Sequence, residues 1–221
     1  MNVRNRGYFK IKDAVSAFDF DFRDKIVLDI GSSTGGFTQF ALDRGAKEVI
    51  AVEKGTNQMA KPLRYDPRVE LHEKTNIFSV RTTELSSEGH PQLLRGRSEE
   101  SREDRRDERP EEDNSVVLIE LPDVIIADVS FISLTKVLAY TKGNLADTHT
   151  EFLVMLKPQF EARPDQLNSG IVKNERIRRD IIKHFERWLG QNGFIIQAKR
   201  DNSLKGKTGK QERFYYLRLA K

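Results

Sequence analysis

Short runs of β-branched and apolar residues alternate along this chain with segments of helical periodicity, and that alternation limits the fold more than any other feature. Strands are expected at 25–30 (KIVLDI), 48–52 (EVIAV), 69–72 (VELH), 123–128 (DVIIAD) and 151–157 (EFLVMLK). Each is short and rich in β-branched and apolar residues, as buried parallel strands tend to be. Helices are expected at 36–44, 56–63 and 134–142. The longest should span 174–190, where Ile177, Ile181, Ile182, Phe185, Trp188 and Leu189 recur at helical spacing before the stop at Gly190 and Gly193. Two last strands, 194–199 and 213–219, flank a Gly- and Lys-rich loop with no helix between them, and should pair antiparallel. The sum is an α/β, Rossmann-like fold: a seven-stranded, mostly parallel sheet with helices on both faces and an antiparallel last strand.

At 221 residues the chain is long enough for one such domain over 1–221, with room for an insertion. Residues 84–114 supply the candidate. They hold six Arg, no Lys and 11 Asp plus Glu, and almost nothing apolar, so they cannot bury enough surface to offset the entropy of ordering. The segment reads as a disordered insertion. The remaining chain carries 32 basic and 23 acidic residues, a balance that suits a polyanion as partner, with a merely solvated basic surface as the equal alternative.

Several chemistries are excluded at once. The chain has no cysteine, which removes disulfides, thiolate metal sites and cysteine nucleophiles. Its four histidines, His72, His90, His149 and His184, show no close metal-ligand spacing. No apolar run approaches the roughly 20 residues that span a bilayer, and MNVRNRGYFK lacks the apolar stretch of a signal peptide. A soluble, cytoplasmic protein is the expectation.

The first strand ends in an acid and a glycine turn, VLDIGSSTGGF, where an open α/β sheet binds its ligands. Asp29, Gly31, Ser33, Thr34, Gly35 and Gly36 form this turn. A dinucleotide fingerprint would need glycine at the position of Ser33, whose side chain would crowd a pyrophosphate. A negative Asp29 beside the turn also favours a cationic ligand such as S-adenosylmethionine (SAM) over a phosphate. Glu53, closing the second strand, is placed to accept two ribose hydroxyls. Phe37 packs near the cofactor or in the core. Asn76, after the third strand, binds adenine or caps a loop.

RGYFK (6–10), DIGSSTGGF (29–37), VEKG (52–55), KTN (74–76), ADVSFISL (127–134), LKPQFE (156–161) and GKQERF (209–214) together resemble the TlyA-type, or hemolysin A-like, ribosomal RNA methyltransferases of the FtsJ-like superfamily. The resemblance covers nearly the whole chain outside 84–114. It implies SAM-dependent methylation of a ribose 2′-hydroxyl, with ribosomal RNA or a ribosomal subunit as partner and no membrane. By motif it assigns a catalytic tetrad of Lys10, Asp128, Lys157 and Glu212, with Asp128 also beside the cofactor. The chemistry wants such a set, because a ribose hydroxyl is a poor nucleophile until its proton is lost or shared, and a lysine can accept that proton when it is neutral or stabilise the alkoxide when it is charged. Arg4, Arg6, Lys205, Lys207 and Lys210 are candidate phosphate contacts at the rim, with plain solvated charge the even alternative. Base-amine methylation would place two prolines and an aromatic after the fourth-strand acid, whereas Val129, Ser130 and Phe131 follow Asp128; methylation at cytosine carbon would need a cysteine. Members of the resembled family carry an S4-type RNA-binding domain ahead of the catalytic one. This chain begins almost at RGYFK, so RNA docking is expected from its own basic face, a partner or a missing segment. A noncatalytic RNA-binding module and a membrane-active hemolysin are the alternative readings.

Overall fold

The computed structural model describes residues 4–83, 115–204 and 211–221. Strands β1 (Ile26–Ile30), β2 (Glu48–Val52), β3 (Val69–His72), β6 (Val124–Ala127), β7 (Glu151–Leu156), β8 (Phe194–Asp201) and β9 (Arg213–Leu219) form a sheet in the order β3-β2-β1-β6-β7-β9-β8. The five strands from β3 to β7 across the sheet pair in parallel, and β9 runs antiparallel to both β7 and β8. The chain winds outward from β1 to β3, then returns to build β6 and β7 on the other side of β1. That reversal opens a crevice between the carboxyl ends of β1 and β6.

Alternate residues of the central strands feed two separate cores. Leu28, Ile30, Ile125, Ala127, Phe152 and Val154 pack on one face beneath α4 (Leu134–Asn144) and α6 (Glu175–Gln191). Val27, Val49, Val124, Ile126 and Leu153 pack on the other with α1 (Arg6–Phe18) and α2 (Gly36–Asp43). Period-two alternation therefore explains why β1 is buried at all five positions. Each fully buried large side chain, such as Phe22 or Phe152, contributes about 1.5–3 kcal/mol of transfer free energy.

The expected strands and the helices at α2, α4 and α6 are all present, with ends shifted by a few residues. Three differences stand out. Helix α1 was not expected, although Tyr8, Ile11, Ala14 and Val15 carry its apolar stripe and Asn5 caps its first turn by accepting from Tyr8 N–H. The helix expected over 56–63 is instead α3 (Lys61–Arg64), since Asn57 takes positive φ and Pro62 suits a first helical turn. Finally, β4 (Val80–Thr82) and β5 (Val116–Leu118) make a small parallel pair that brackets 84–114. The expected disordered insertion itself lies outside the described residues.

Two parallel strands such as β4 and β5 need a connection of about a dozen residues or more. Replacing 84–114 with a flexible linker of that length should cost under about 1 kcal/mol, since closure entropy varies slowly with loop length. A three-residue linker should break the pair and lower the melting temperature clearly. Equal melting temperatures for the two variants would show that the β4–β5 pair contributes nothing.

Candidate active site

Two adjoining recesses open at the crevice between β1 and β6. The larger, about 710 Å³, is lined by Gly31, Ser33, Glu53, Asn76, Asp128 and Phe131 among others. The smaller, about 210 Å³, is lined by Arg6, Lys10, Gly31, Ser33, Thr34, Gly36, Phe37 and Asp128. Gly31, Ser33 and Asp128 belong to both, so the glycine turn and the end of β6 form the wall between them.

The turn is built by close approach. Gly31 has φ +79°, and a Cβ there would lie 3.1 Å from the Asp128 carbonyl oxygen. At Gly36 a Cβ would lie 2.2 Å from Asn5 Oδ1 and 2.8 Å from the Tyr8 backbone nitrogen, so only glycine lets α1 sit against the start of α2. Ser33 also takes positive φ, and its N–H donates to Glu53 Oε2 at 2.9 Å while Gly55 N–H donates to Oε1 at 2.7 Å. Two backbone donors thus fix the Glu53 carboxylate at the cavity wall with lone pairs to spare on each oxygen.

The four residues of the implied tetrad come together as two ion pairs. Lys10 Nζ lies 2.6 Å from Glu212 Oε2, and both residues are under 10% exposed. Lys157 Nζ lies 2.5 Å from Asp128 Oδ1 and donates to Ser130 Oγ at 2.8 Å. Lys12, by contrast, is exposed on the outer side of α1. Register explains the meeting: Leu156 of β7 pairs with Arg213 of β9, so Glu212 lies where Lys157 leaves the sheet.

Other predicted residues fall differently. Asp29 lines neither recess; it is 0% exposed beneath the turn, where its Oδ2 accepts from Thr38 Oγ1 at 2.6 Å. Burial, with the nearby Asp128 and Glu53 charges, pushes its carboxyl up to about 7, so Asp29 does not offer a reliable negative charge to a ligand. Gly35 lines neither recess and instead makes room for Leu63. Phe37 lines the smaller recess and stacks on Phe214, with centroids 6.0 Å apart. Asn76 does both things expected of it as alternatives: it reaches the cavity wall while its Oδ1 accepts from Phe78 N–H. Arg6 is at the smaller recess, whereas Arg4 lies over the Tyr8 ring, 3.7 Å from Asp43. Lys205, Lys207 and Lys210 lie outside the described residues.

Phe131 is the main feature that sequence reasoning passed over. It follows the Asp128 motif, takes φ +63°, is 93% exposed and leans on Phe160 at 5.3 Å. An outward aromatic held in a left-handed conformation presents a free face beside the cavity, the surface on which a nucleobase stacks. Its only sequence signal is the aromatic directly after the strand-end acid.

The model of the FtsJ-like methyltransferase family matches residues 3–219. The chain belongs to that family. A Bacillus subtilis (strain 168) protein named as an rRNA methyltransferase is 31% identical over 96% of this chain and 64% of its own length. The 16S/23S rRNA (cytidine-2′-O)-methyltransferase TlyA of Mycobacterium tuberculosis (strain ATCC 25618 / H37Rv) is 31% identical over 97% of the chain and 68% of its own. The solved structure of a Streptococcus thermophilus protein named as a hemolysin superposes with a TM-score of 0.78 at 29% identity, covering 100% of this chain and 68% of the other. The chain therefore spans about two thirds of the length of these relatives. Among the described residues, no helix is long and apolar enough to cross a membrane, and no cluster of His, Asp and Glu is arranged to hold a metal.

The Asp29 environment gives a pH signature. Burial holds its folded-state carboxyl up at about 7, so the folded protein keeps a proton that the unfolded chain releases from about pH 4 upward. This contribution to stability is present at low pH and is lost as pH rises toward 7. Asp29→Asn keeps an acceptor for Thr38 and removes the titration. In urea unfolding, the variant should gain on the parent protein between pH 4 and 7 and keep a constant lead above that. Parallel stability curves would mean Asp29 is ionised in the folded state throughout.

Proposed function

We propose that this chain is a SAM-dependent RNA methyltransferase that acts on a ribose 2′-hydroxyl, with ribosomal RNA as the substrate class. The observation that carries the reading is the two lysine–carboxylate contacts, each of which sends one member, Lys10 or Asp128, to the wall of the smaller recess, with the cofactor-sized cavity directly across the Gly31–Asp128 wall. Its relatives named as rRNA 2′-O-methyltransferases support the choice of acceptor.

The larger cavity fits SAM on its own features. Glu53, fixed by Ser33 and Gly55, would take the ribose hydroxyls; Gly31 leaves space for backbone to approach the ligand; Asn76 and Ile77 would border the adenine. When bound there, SAM supplies an electrophilic methyl group on a positively charged sulfur. The chain's own work is done at the acceptor. Lys157 would face the hydroxyl from the end of β7, and would either take its proton as the neutral amine or, as the ammonium, stabilise the oxygen while the oxygen–carbon bond forms and the carbon–sulfur bond breaks, the sulfur leaving as a neutral thioether. Asp128 and Ser130 hold the Lys157 ammonium in place. The buried Lys10–Glu212 pair fixes the far side of the recess, where Lys10 orients the ribose or a neighbouring phosphate. Phe131 gives the base of that nucleotide a face to stack on. A noncatalytic RNA-binding module would have no need for two buried or half-buried ion pairs that are costly unless maintained in full.

Two substitutions separate binding from chemistry. Glu53→Ala should weaken SAM binding ten- to a hundredfold, about 1.5–3 kcal/mol, by calorimetry; unchanged affinity would remove Glu53 from the site. Lys157→Ala should keep SAM affinity within a few-fold while single-turnover methyl transfer falls by about a hundredfold or more. Wild-type transfer rates in that variant would refute the tetrad. Lys157→Arg then divides the two roles, since a guanidinium retains charge but cannot act as a base.

A further inference from the structure

Helix α6 has a second face that neither the sheet nor the active site uses. Its apolar side, Ile181, Ile182, Phe185 and Leu189, is buried in the core. Opposite lie Arg176, Arg179, Lys183 and Arg187, all exposed. At 100° per residue these four fall within an arc of about 80°, and they extend along roughly 16 Å of helix axis. Exposed Lys173 precedes them. None of the five has an ion-pair partner among the described residues.

Exposed helix faces usually mix signs, because like charges three or four residues apart repel by a few tenths of a kcal/mol per pair. Here the acids that could neutralise the arc are engaged elsewhere. Glu175 contacts the inward-facing Arg178, and Glu186 binds Lys199 and the Tyr215 hydroxyl. Asp180 is the one carboxylate of α6 left at the edge of the arc. A row of cations about 5–6 Å apart that repel one another is stabilised when a row of anions lies against it.

The position of α6 says which anions. Arg178 donates to Asp201 at 2.7 Å, and Asp201 also accepts from Arg213 at 2.7 Å, the residue next to Glu212. The first turn of α6 is thereby tied to the strand end that carries a tetrad residue, and the cationic arc leads from the catalytic rim down the flank of the domain. A membrane surface is a poorer fit, since an interfacial helix needs free apolar residues beside its cations and those of α6 are buried in the core.

We propose that Arg176, Arg179, Lys183 and Arg187 form a docking ridge for the phosphate backbone of the RNA substrate, holding the strand beside the recess that receives its ribose. The proposal rests on RNA being the substrate. The ridge reads no sequence; it supplies affinity and register, as phosphate contacts do.

The test uses a fluorescein-labelled RNA hairpin with a single-stranded loop, titrated by anisotropy at several salt concentrations. Changing all four residues to Gln should flatten the plot of log affinity against log salt by about 3, at 0.7–0.9 per phosphate contact, and weaken binding at least about tenfold near 0.1 M salt. Melting temperature and SAM affinity should be unchanged. Arg44→Gln, Lys47→Gln and Lys221→Gln, combined at the opposite end of the sheet, should leave the slope as in the parent protein. An unchanged slope in the ridge variant, or an equal loss in the control, overturns the proposal. So does ridge-dependent binding to phosphatidylserine vesicles that exceeds binding to the hairpin. Ridge-dependent RNA binding without any methyl transfer would refute the functional reading and leave the ridge standing; normal transfer with ridge-independent binding would do the reverse.

Discussion

A buried ion pair between Lys10 and Glu212 holds together the face that carries the two recesses. Two charges that are each more than nine-tenths buried must stay paired, because removing one partner leaves an uncompensated charge at a cost of about 3–5 kcal/mol. Lys10 comes from α1 at the start of the chain and Glu212 from the approach to β9 near its end. Their contact fixes α1 over the sheet and sets where β9 begins. Because β9 pairs with β7, the same contact sets how Lys157 faces Asp128. Gly36 makes the arrangement possible by letting α1 come into contact with α2. The smaller recess is thus assembled from elements far apart in sequence, whereas the larger cavity is built mainly from consecutive β–loop–α units.

That difference explains what the sequence discloses. The sheet is legible because parallel strands buried on both faces leave unbroken apolar runs, as in IVLDI and FLVML, and because the Gly-rich turn after β1 has few other uses. The long helix α6 is legible from its stripe. Helix α1 is harder to see, since its buried face includes a lysine and a tyrosine whose burial makes sense only beside Glu212 and Asp43. The β4–β5 pair has three residues per strand, too few for a period to register.

Charge shows the limits of the sequence most clearly. An acid before a glycine turn suggests a ligand contact, yet Asp29 is sealed under the turn with its carboxyl raised to about 7, and its visible partner is Thr38. Glu53 carries the accessible charge instead, because two backbone N–H groups hold it at the wall. Likewise the rim cation Arg4 lies against Tyr8 and Asp43, while the unpaired cations of α6 lie on a face that sequence reading would assign to solvent. Burial and pairing, both products of the tertiary fold, decide which charges are available for chemistry.

Whether the methyl group goes to a ribose oxygen is decided by methylating ribosomal RNA with tritium-labelled SAM and digesting the product with alkali. Alkaline cleavage needs a free 2′-hydroxyl, so a 2′-O-methyl group protects its own phosphodiester. With a ribose acceptor the label is recovered in alkali-resistant dinucleotides; label released in mononucleotides would place the methyl group on a base and contradict ribose methylation.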